Sequence, residues 1–258
     1  MKLGLVTYNL AKDWDCSKII EMCTKTGFEG VELRTTHAHG VEIDLSSQER
    51  EAVKERFQDS AIELCGLGSA FEYHSQNLDE LRENVEGTKA YAQLAADVGC
   101  PGIKVRPNRL PEGVPEEKTL EQIALSIQEC ADVAADLGVE IRIEVHGKGT
   151  AEPVKIRRIL EMCDRPTVVA CWNSNQNEVV EESVKESFAH LRGQIGLVHM
   201  RDICLPAYPW KELLRYLSES GYKGFCCAEI PGNEDPERIM QYYNALFRAY
   251  VDNLSTPQ

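Results

Sequence analysis

The chain has 258 residues, 28 of them basic and 42 acidic, for a formal net charge of −14. That length suits one large domain or two small ones, and the charge repels phosphate backbones, which sets nucleic acid aside as a partner. No apolar run approaches membrane-spanning length, Met1-Lys2 is expected to lead straight into a strand rather than a signal peptide, and the ten cysteines include no Cys-x-x-Cys pair. They are read as reduced, small hydrophobes of a cytoplasmic protein.

In chain order, a strand is expected over Leu3–Tyr8 and a helix from Asp15 to Thr26. A second strand, Gly30–Arg34, leads into a long loop ended by Ser46. Glu49 follows three residues on, the pattern of a capping box at a helix start. A third strand, Ile62–Gly68, is followed by a loop and a helix reaching Val98. The fourth strand is Gly102–Arg106. From Thr119 onward, Leu120, Ile123, Ala124, Ile127, Ala131, Ala134 and Leu137 recur at helical spacing and mark one buried stripe. From Val139 to His146 apolar and polar residues alternate strictly, which is the period of a fifth strand. Helix Val154–Cys163, strand Thr167–Trp172, helix Val180–Leu191 and strand Ile195–Met200 come next. Pro209 opens another helix, Phe225–Ile230 is the eighth strand, and Pro236 starts the final helix. Gly27, Gly99, Gly138 and Gly221 each end a helix just before a strand, where a left-handed residue is needed. Eight alternating units predict a single-domain α/β fold spanning residues 1–258, a (β/α)₈ TIM barrel. The alternative, a doubly wound sheet, would carry a glycine-rich turn after strand one. That turn reads Tyr8-Asn9-Leu10-Ala11-Lys12 instead.

Strand parity then assigns the lumen. Glu32, Arg34, Lys104, Arg106, Arg142, Glu144, His146, Asn173, His199, Arg201 and Glu229 point inward, and the opposite parity is apolar. Some of these are expected to pair structurally, for example Glu32 with Lys104. Catalytic groups of such barrels gather at the C-terminal strand ends. Glu144, Asn173, His199 and Glu229 sit at the ends of strands five to eight. They offer three oxygen ligands and one nitrogen, a set suited to Mn²⁺, Mg²⁺, Co²⁺ or Zn²⁺. His146 is the rival for the fourth position, or a substrate contact. Arg106 and Arg201 face the mouth, where each could bind a hydroxyl, carboxylate or phosphate. His37 and His74 lie in the loops after strands two and three, at the same end of the barrel, and are candidates for a substrate wall.

Four segments, Gly30-Val31-Glu32-Leu33-Arg34, Glu144-Val145-His146-Gly147, Val198-His199-Met200-Arg201-Asp202 and Ala228-Glu229-Ile230-Pro231-Gly232, resemble the xylose-isomerase-like barrel superfamily, in its sugar phosphate isomerase/epimerase group. The resemblance runs over nearly the whole chain. It implies a metal held by Glu144, Asn173, His199 and Glu229, with the two glutamates as the proton-transfer pair, and a possible homo-oligomer. Strand six departs from the pattern: Asn173 stands where the group commonly has Asp, and Gln176 where it has a substrate-facing His. The group also includes an apurinic endonuclease with three zinc ions, which six histidines and the acidic charge speak against. The function expected is a divalent-metal-dependent isomerase or epimerase on a small sugar or sugar-derived carbonyl compound, working by proton abstraction and a metal-stabilised enediolate. The alternatives are a lyase or hydrolase on an oxidised sugar, or a sugar-binding barrel that has lost its metal. No nucleic acid or membrane partner is expected.

Overall fold

Eight parallel strands close into a barrel in the order in which they occur in the chain. The structure, a computed structural model, describes residues 1–255. The strands are β1 (Lys2–Val6), β2 (Gly30–Arg34), β3 (Glu63–Glu72), β4 (Gly102–Arg106), β5 (Glu140–Glu144), β6 (Val168–Trp172), β7 (Ile195–Met200) and β8 (Phe225–Ala228). The helices between and after them are α1 (Cys16–Thr26), α2 (Ser47–Gln58), α3 (Leu78–Asp97), α4 (Glu116–Asp136), α5 (Pro153–Cys163), α6 (Lys185–Leu191), α7 (Trp210–Glu219) and α8 (Pro236–Asp252). This is the (β/α)₈ TIM barrel that the alternation predicts. Among the described residues no helix is long and apolar enough to cross a membrane.

Local signals account for most boundaries. The Ser46–Glu49 capping box forms at the start of α2, and Asp15 caps α1 by accepting from the Lys18 backbone N–H. Gly27, Gly99, Gly138 and Gly221 all have positive φ, between 69° and 80°, as the helix-to-strand turns require. The apolar stripe of α4 is buried against the sheet. The outward faces of the strands and the inward faces of the helices form one continuous core. A second, smaller apolar cluster fills part of the lumen: Val6, Cys65, Cys171, Leu197, Phe225 and Cys227.

Most boundaries fall within three residues of expectation, and two differ by more. β3 runs on to Glu72, with a shift in its register against β4 after Gly68. The expected helix from Val180 begins only at Lys185. Glu181 and Glu182 adopt φ of 48° and 64°, and Val180 and Ser183 pair across them. Glu212 of α7 receives the Ser183 hydroxyl and the Val184 N–H. A tertiary carboxylate thus takes up donors that an earlier helical turn would have used.

Candidate active site

Glu144 closes β5, Asn173 follows β6 directly, His199 is the penultimate residue of β7, and Glu229 follows β8, its N–H donating to the Met200 carbonyl. All four line one cavity of about 180 Å³ at the C-terminal mouth, together with Tyr8, Arg34, Lys104, Arg106, His146 and Arg201. A larger hollow, about 630 Å³, opens at the opposite end beneath Arg142. The smaller one is the candidate site, because it holds the converging polar groups and lies at the end where barrels of this kind do chemistry.

His199 is the hub. Its Nε2 lies 3.1 Å from Glu32 Oε1, and its Nδ1 lies 3.7 Å from both Glu144 Oε1 and Glu229 Oε1. Glu32 is wholly buried, and glycines on the neighbouring strand make room for it: a Cβ at Gly68 would come within 2.7 Å of Glu32 Oε1. Lys104, almost completely buried, donates to Glu144 Oε2 at 2.9 Å and to the Ser69 carbonyl at 3.1 Å. The expected Glu32–Lys104 pair is therefore replaced: Lys104 pairs with Glu144, and Glu32 with His199. Burial alone would raise Glu144, but Lys104 foremost and then His199 hold its pKa well below the ordinary carboxylate value. Burial likewise opposes charge on Glu32, and His199 more than compensates, drawing its pKa down. For His199, burial disfavours the imidazolium, yet Cys171, Glu32 and Glu144 together raise its pKa well above that of a free histidine.

The donor set fits a divalent cation. With Nε2 donating to Glu32, His199 turns its Nδ1 edge toward two carboxylate oxygens. Two carboxylates at that edge call for a positive charge, which the Nδ1 proton of the imidazolium supplies and a divalent ion in the proton's place would supply as well; carboxylate-backed histidines are a standard metal ligand. Both His199 Nδ1 and Asn173 Oδ1 are buried without a hydrogen-bond partner. In a tetrahedral zinc site with bonds of roughly 2.1 Å the donors stand about 3.4 Å apart, slightly closer than the 3.7 Å seen here. Among the described residues no three His, Cys, Asp or Glu side chains are placed closely enough to hold an ion as they stand. A small inward movement of Glu144 and Glu229 would close this set, with Asn173 adding a neutral carbonyl.

The remaining predicted residues divide in two. His146 lines the cavity with its Nδ1 3.0 Å from Asn108 Oδ1. Arg106 pairs with Glu72 at 2.9 Å, and Arg201 donates to Asn175 Oδ1 at 3.1 Å. His37 sits beside the Thr7 hydroxyl, 3.2 Å away, and His74 lies 3.8 Å from Glu72; neither lines the cavity. Tyr8, Arg34 and Lys104 do line it. Strand parity had placed Arg34 and Lys104 in the lumen, but nothing in the sequence singled them out from the structural pairs. Behind the site, Glu178 is fully buried, accepts from the Tyr208 hydroxyl at 2.5 Å, and has its pKa pushed up to about 8 by burial.

A closed parallel barrel with acidic residues and a histidine gathered at its C-terminal mouth defines a TIM-barrel protein with an enzyme-like site. The chain belongs to the xylose isomerase-like TIM barrel family, whose description matches residues 20–249. None of the curated proteins matches it by sequence. Among solved structures it is similar to the IolI protein with a bound zinc atom, at 18% identity and TM-score 0.81 over 100% of both chains. It is also similar to D-psicose 3-epimerase from Clostridium cellulolyticum, at 16% identity and TM-score 0.80 over 97% of this chain and 99% of that one. A third is 3-keto-D-glucoside 4-epimerase from E. coli, at 18% identity and TM-score 0.77 over 96% and 99%. At these identities the likeness concerns the fold.

Proposed function

We propose that this barrel is a divalent-metal-dependent isomerase or epimerase of a small sugar-derived carbonyl compound. The observation that carries the reading is the convergence of Glu144 Oε1 and Glu229 Oε1 on the unpartnered His199 Nδ1, each at 3.7 Å. Two structural relatives are named as epimerases of keto sugars, and a third holds zinc, which supports it. Glu144, Asn173, His199 and Glu229 would hold the ion. Once bound, the ion would supply Lewis acidity toward the substrate carbonyl and its neighbouring hydroxyl.

The two glutamates are not equivalent. Glu144 Oε2 is clamped by Lys104, whereas the Glu229 carboxylate has only the His199 contact among the described residues. Glu229 takes the proton from the carbon beside the carbonyl and keeps it at the substrate. Delivered on the same face to the former carbonyl carbon, while the hydroxyl proton passes from one oxygen to the other, that proton completes an isomerisation. An epimerisation needs a donor on the other face, a role that the Lys104 ammonium, hydrogen-bonded to Glu144 Oε2 at 2.9 Å, would fill through Glu144. His146 and the arginines orient the polyhydroxy chain.

The test is to load purified protein with Mn²⁺, Co²⁺ or Zn²⁺, dialyse, and measure bound metal. Stoichiometric metal is expected in the native chain and loss of it in Glu229→Gln. Keto sugars are then incubated in D₂O, where deuterium is expected at the carbon beside the carbonyl only with metal present. A native chain that retains no ion under any loading condition refutes the reading.

A further inference from the structure

We propose that the substrate of this site carries a terminal carboxylate, gripped by Arg34 and Arg201. The inference rests on the reading above only for what happens at the other end of the substrate. In a chain of net charge −14, this cavity is lined by four cationic side chains, Arg34, Lys104, Arg106 and Arg201, against two carboxylates, Glu144 and Glu229. Two of the cations are accounted for: Lys104 by Glu144 and Arg106 by Glu72. No carboxylate lies within 4.0 Å of Arg34 or Arg201 among the described residues. Arg34, half-buried, lies over the Tyr8 ring at 5.3 Å, which orients its planar fork at the cavity wall. Arg201, at the outer edge, spends one N–H on the neutral Asn175 side chain and keeps the rest free. A bound divalent ion would add positive charge and engage both carboxylates, so the surplus would grow. A neutral sugar leaves it uncompensated; an anionic one does not.

The anion is a carboxylate rather than a phosphate. The cavity of about 180 Å³ equals the liquid volume of roughly six waters at about 30 Å³ each, so the ligand is small. Phosphate sites in these barrels are commonly built from the loops after strands seven and eight with a helix N-terminus. Here that corner is acidic. The N-terminus of α8 is capped by Asp235, which accepts the Arg238 N–H at 3.2 Å; its first residue, Pro236, has no N–H, and Glu234 and Asp202 stand nearby in the two loops. A guanidinium fork also matches the plane of a carboxylate, with two parallel charge-assisted bonds.

The experiment compares three probes of one chain length, ribitol, ribonate and ribitol 5-phosphate, by calorimetry on the protein both without metal and with Mn²⁺ added. None has an aldehyde or ketone to react, so binding is read apart from catalysis, and failure of the proton-transfer reading leaves this series unchanged. Ribonate is expected to bind tighter than ribitol by about tenfold or more and tighter than the phosphate ester. Arg34→Gln and Arg201→Gln should each remove most of that preference and the double variant all of it, with Arg34→Lys retaining part. Thermal melts verify that the variants fold. Equal binding of ribonate and ribitol overturns the proposal. So does tighter binding of the phosphate ester, survival of the preference in the double variant, or no binding of ribonate at millimolar concentration.

Discussion

The barrel buries charge at two levels of its lumen, and the two levels are built differently. At the N-terminal floor, Arg142 donates through Nε and Nη2 to Glu140 Oε2, at 3.0 and 2.9 Å, and through Nη1 to the Cys65 carbonyl at 2.6 Å. Every group that donates there has a partner on the protein. At the C-terminal mouth, beyond the small apolar cluster around Cys65, Cys171 and Cys227, His199 Nδ1, Asn173 Oδ1 and Glu32 Oε2 are buried without one. A buried polar atom left unpaired costs about 1–3 kcal/mol, and a fold keeps several together only where something else completes them. Charge in a lumen is therefore not itself the mark of a site; the distinction lies in whether the hydrogen bonds close.

Breaking each level should have opposite consequences. The largest effect is expected at the mouth: Glu229→Gln should lower turnover by about 10³-fold, within the range for losing a catalytic acid–base group, and abolish metal retention, with little change in thermal midpoint. At the floor, Arg142→Met should cost about 2 kcal/mol of stability. That is below the roughly 3–5 kcal/mol of a fully buried broken pair, because Glu140 is half-exposed and can rehydrate. Denaturant titration would show the loss, and metal binding should survive it. If Arg142→Met also abolished metal binding, the two levels would be one coupled network.

Two substitutions sharpen the mouth. Lys104→Met removes a positive charge from the carboxylate that the ion would use, and Asn173→Asp adds a negative one. Each should tighten Co²⁺ binding by about tenfold, as the attraction between ion and ligands grows with net ligand charge. Weaker binding in Lys104→Met would mean that Lys104 positions Glu144 rather than competing with the ion for it. Unchanged binding in Asn173→Asp would leave His146 as the fourth ligand.

The smallest expected effect lies behind the site. Glu178 titrates near 8 in the folded protein, where burial outweighs the Tyr208 hydrogen bond, against about 4.3 for a free glutamate. Between those values the unfolded chain has lost the proton that the native one keeps. Its contribution is thus complete below pH 4 and falls as pH rises toward 8. Melting curves across that interval should show a steeper decline for the native chain than for Glu178→Gln; parallel declines would mean that Glu178 is ionised throughout.

The barrel was legible in the sequence because its signals are local: the alternation from Val139 to His146, the glycines at Gly27, Gly99, Gly138 and Gly221, and the capping box at Ser46 each specify backbone within a few residues. Strand parity also placed the lumen residues on the correct side. Parity gives a ring, however, and not its pairings. Glu32 reaches His199 because Gly66 and Gly68 on β3 leave space beside it, and Lys104 is then left to Glu144. Those choices depend on which neighbours are small across several strands. The shortened α6 has the same origin, since the Glu212 carboxylate that receives Ser183 and Val184 comes from α7. His37 and His74 were placed at the correct end of the barrel but lie outside the cavity, because nothing in a loop sequence specifies the direction in which a side chain points.

The most direct measurement is anomalous diffraction from crystals of the native chain soaked in Mn²⁺. A single strong peak is expected between His199 Nδ1, Glu144 Oε1 and Glu229 Oε1, with Asn173 Oδ1 completing the protein ligands. No peak at that point, or a peak only elsewhere on the acidic surface, would contradict an ion site at the mouth of this barrel.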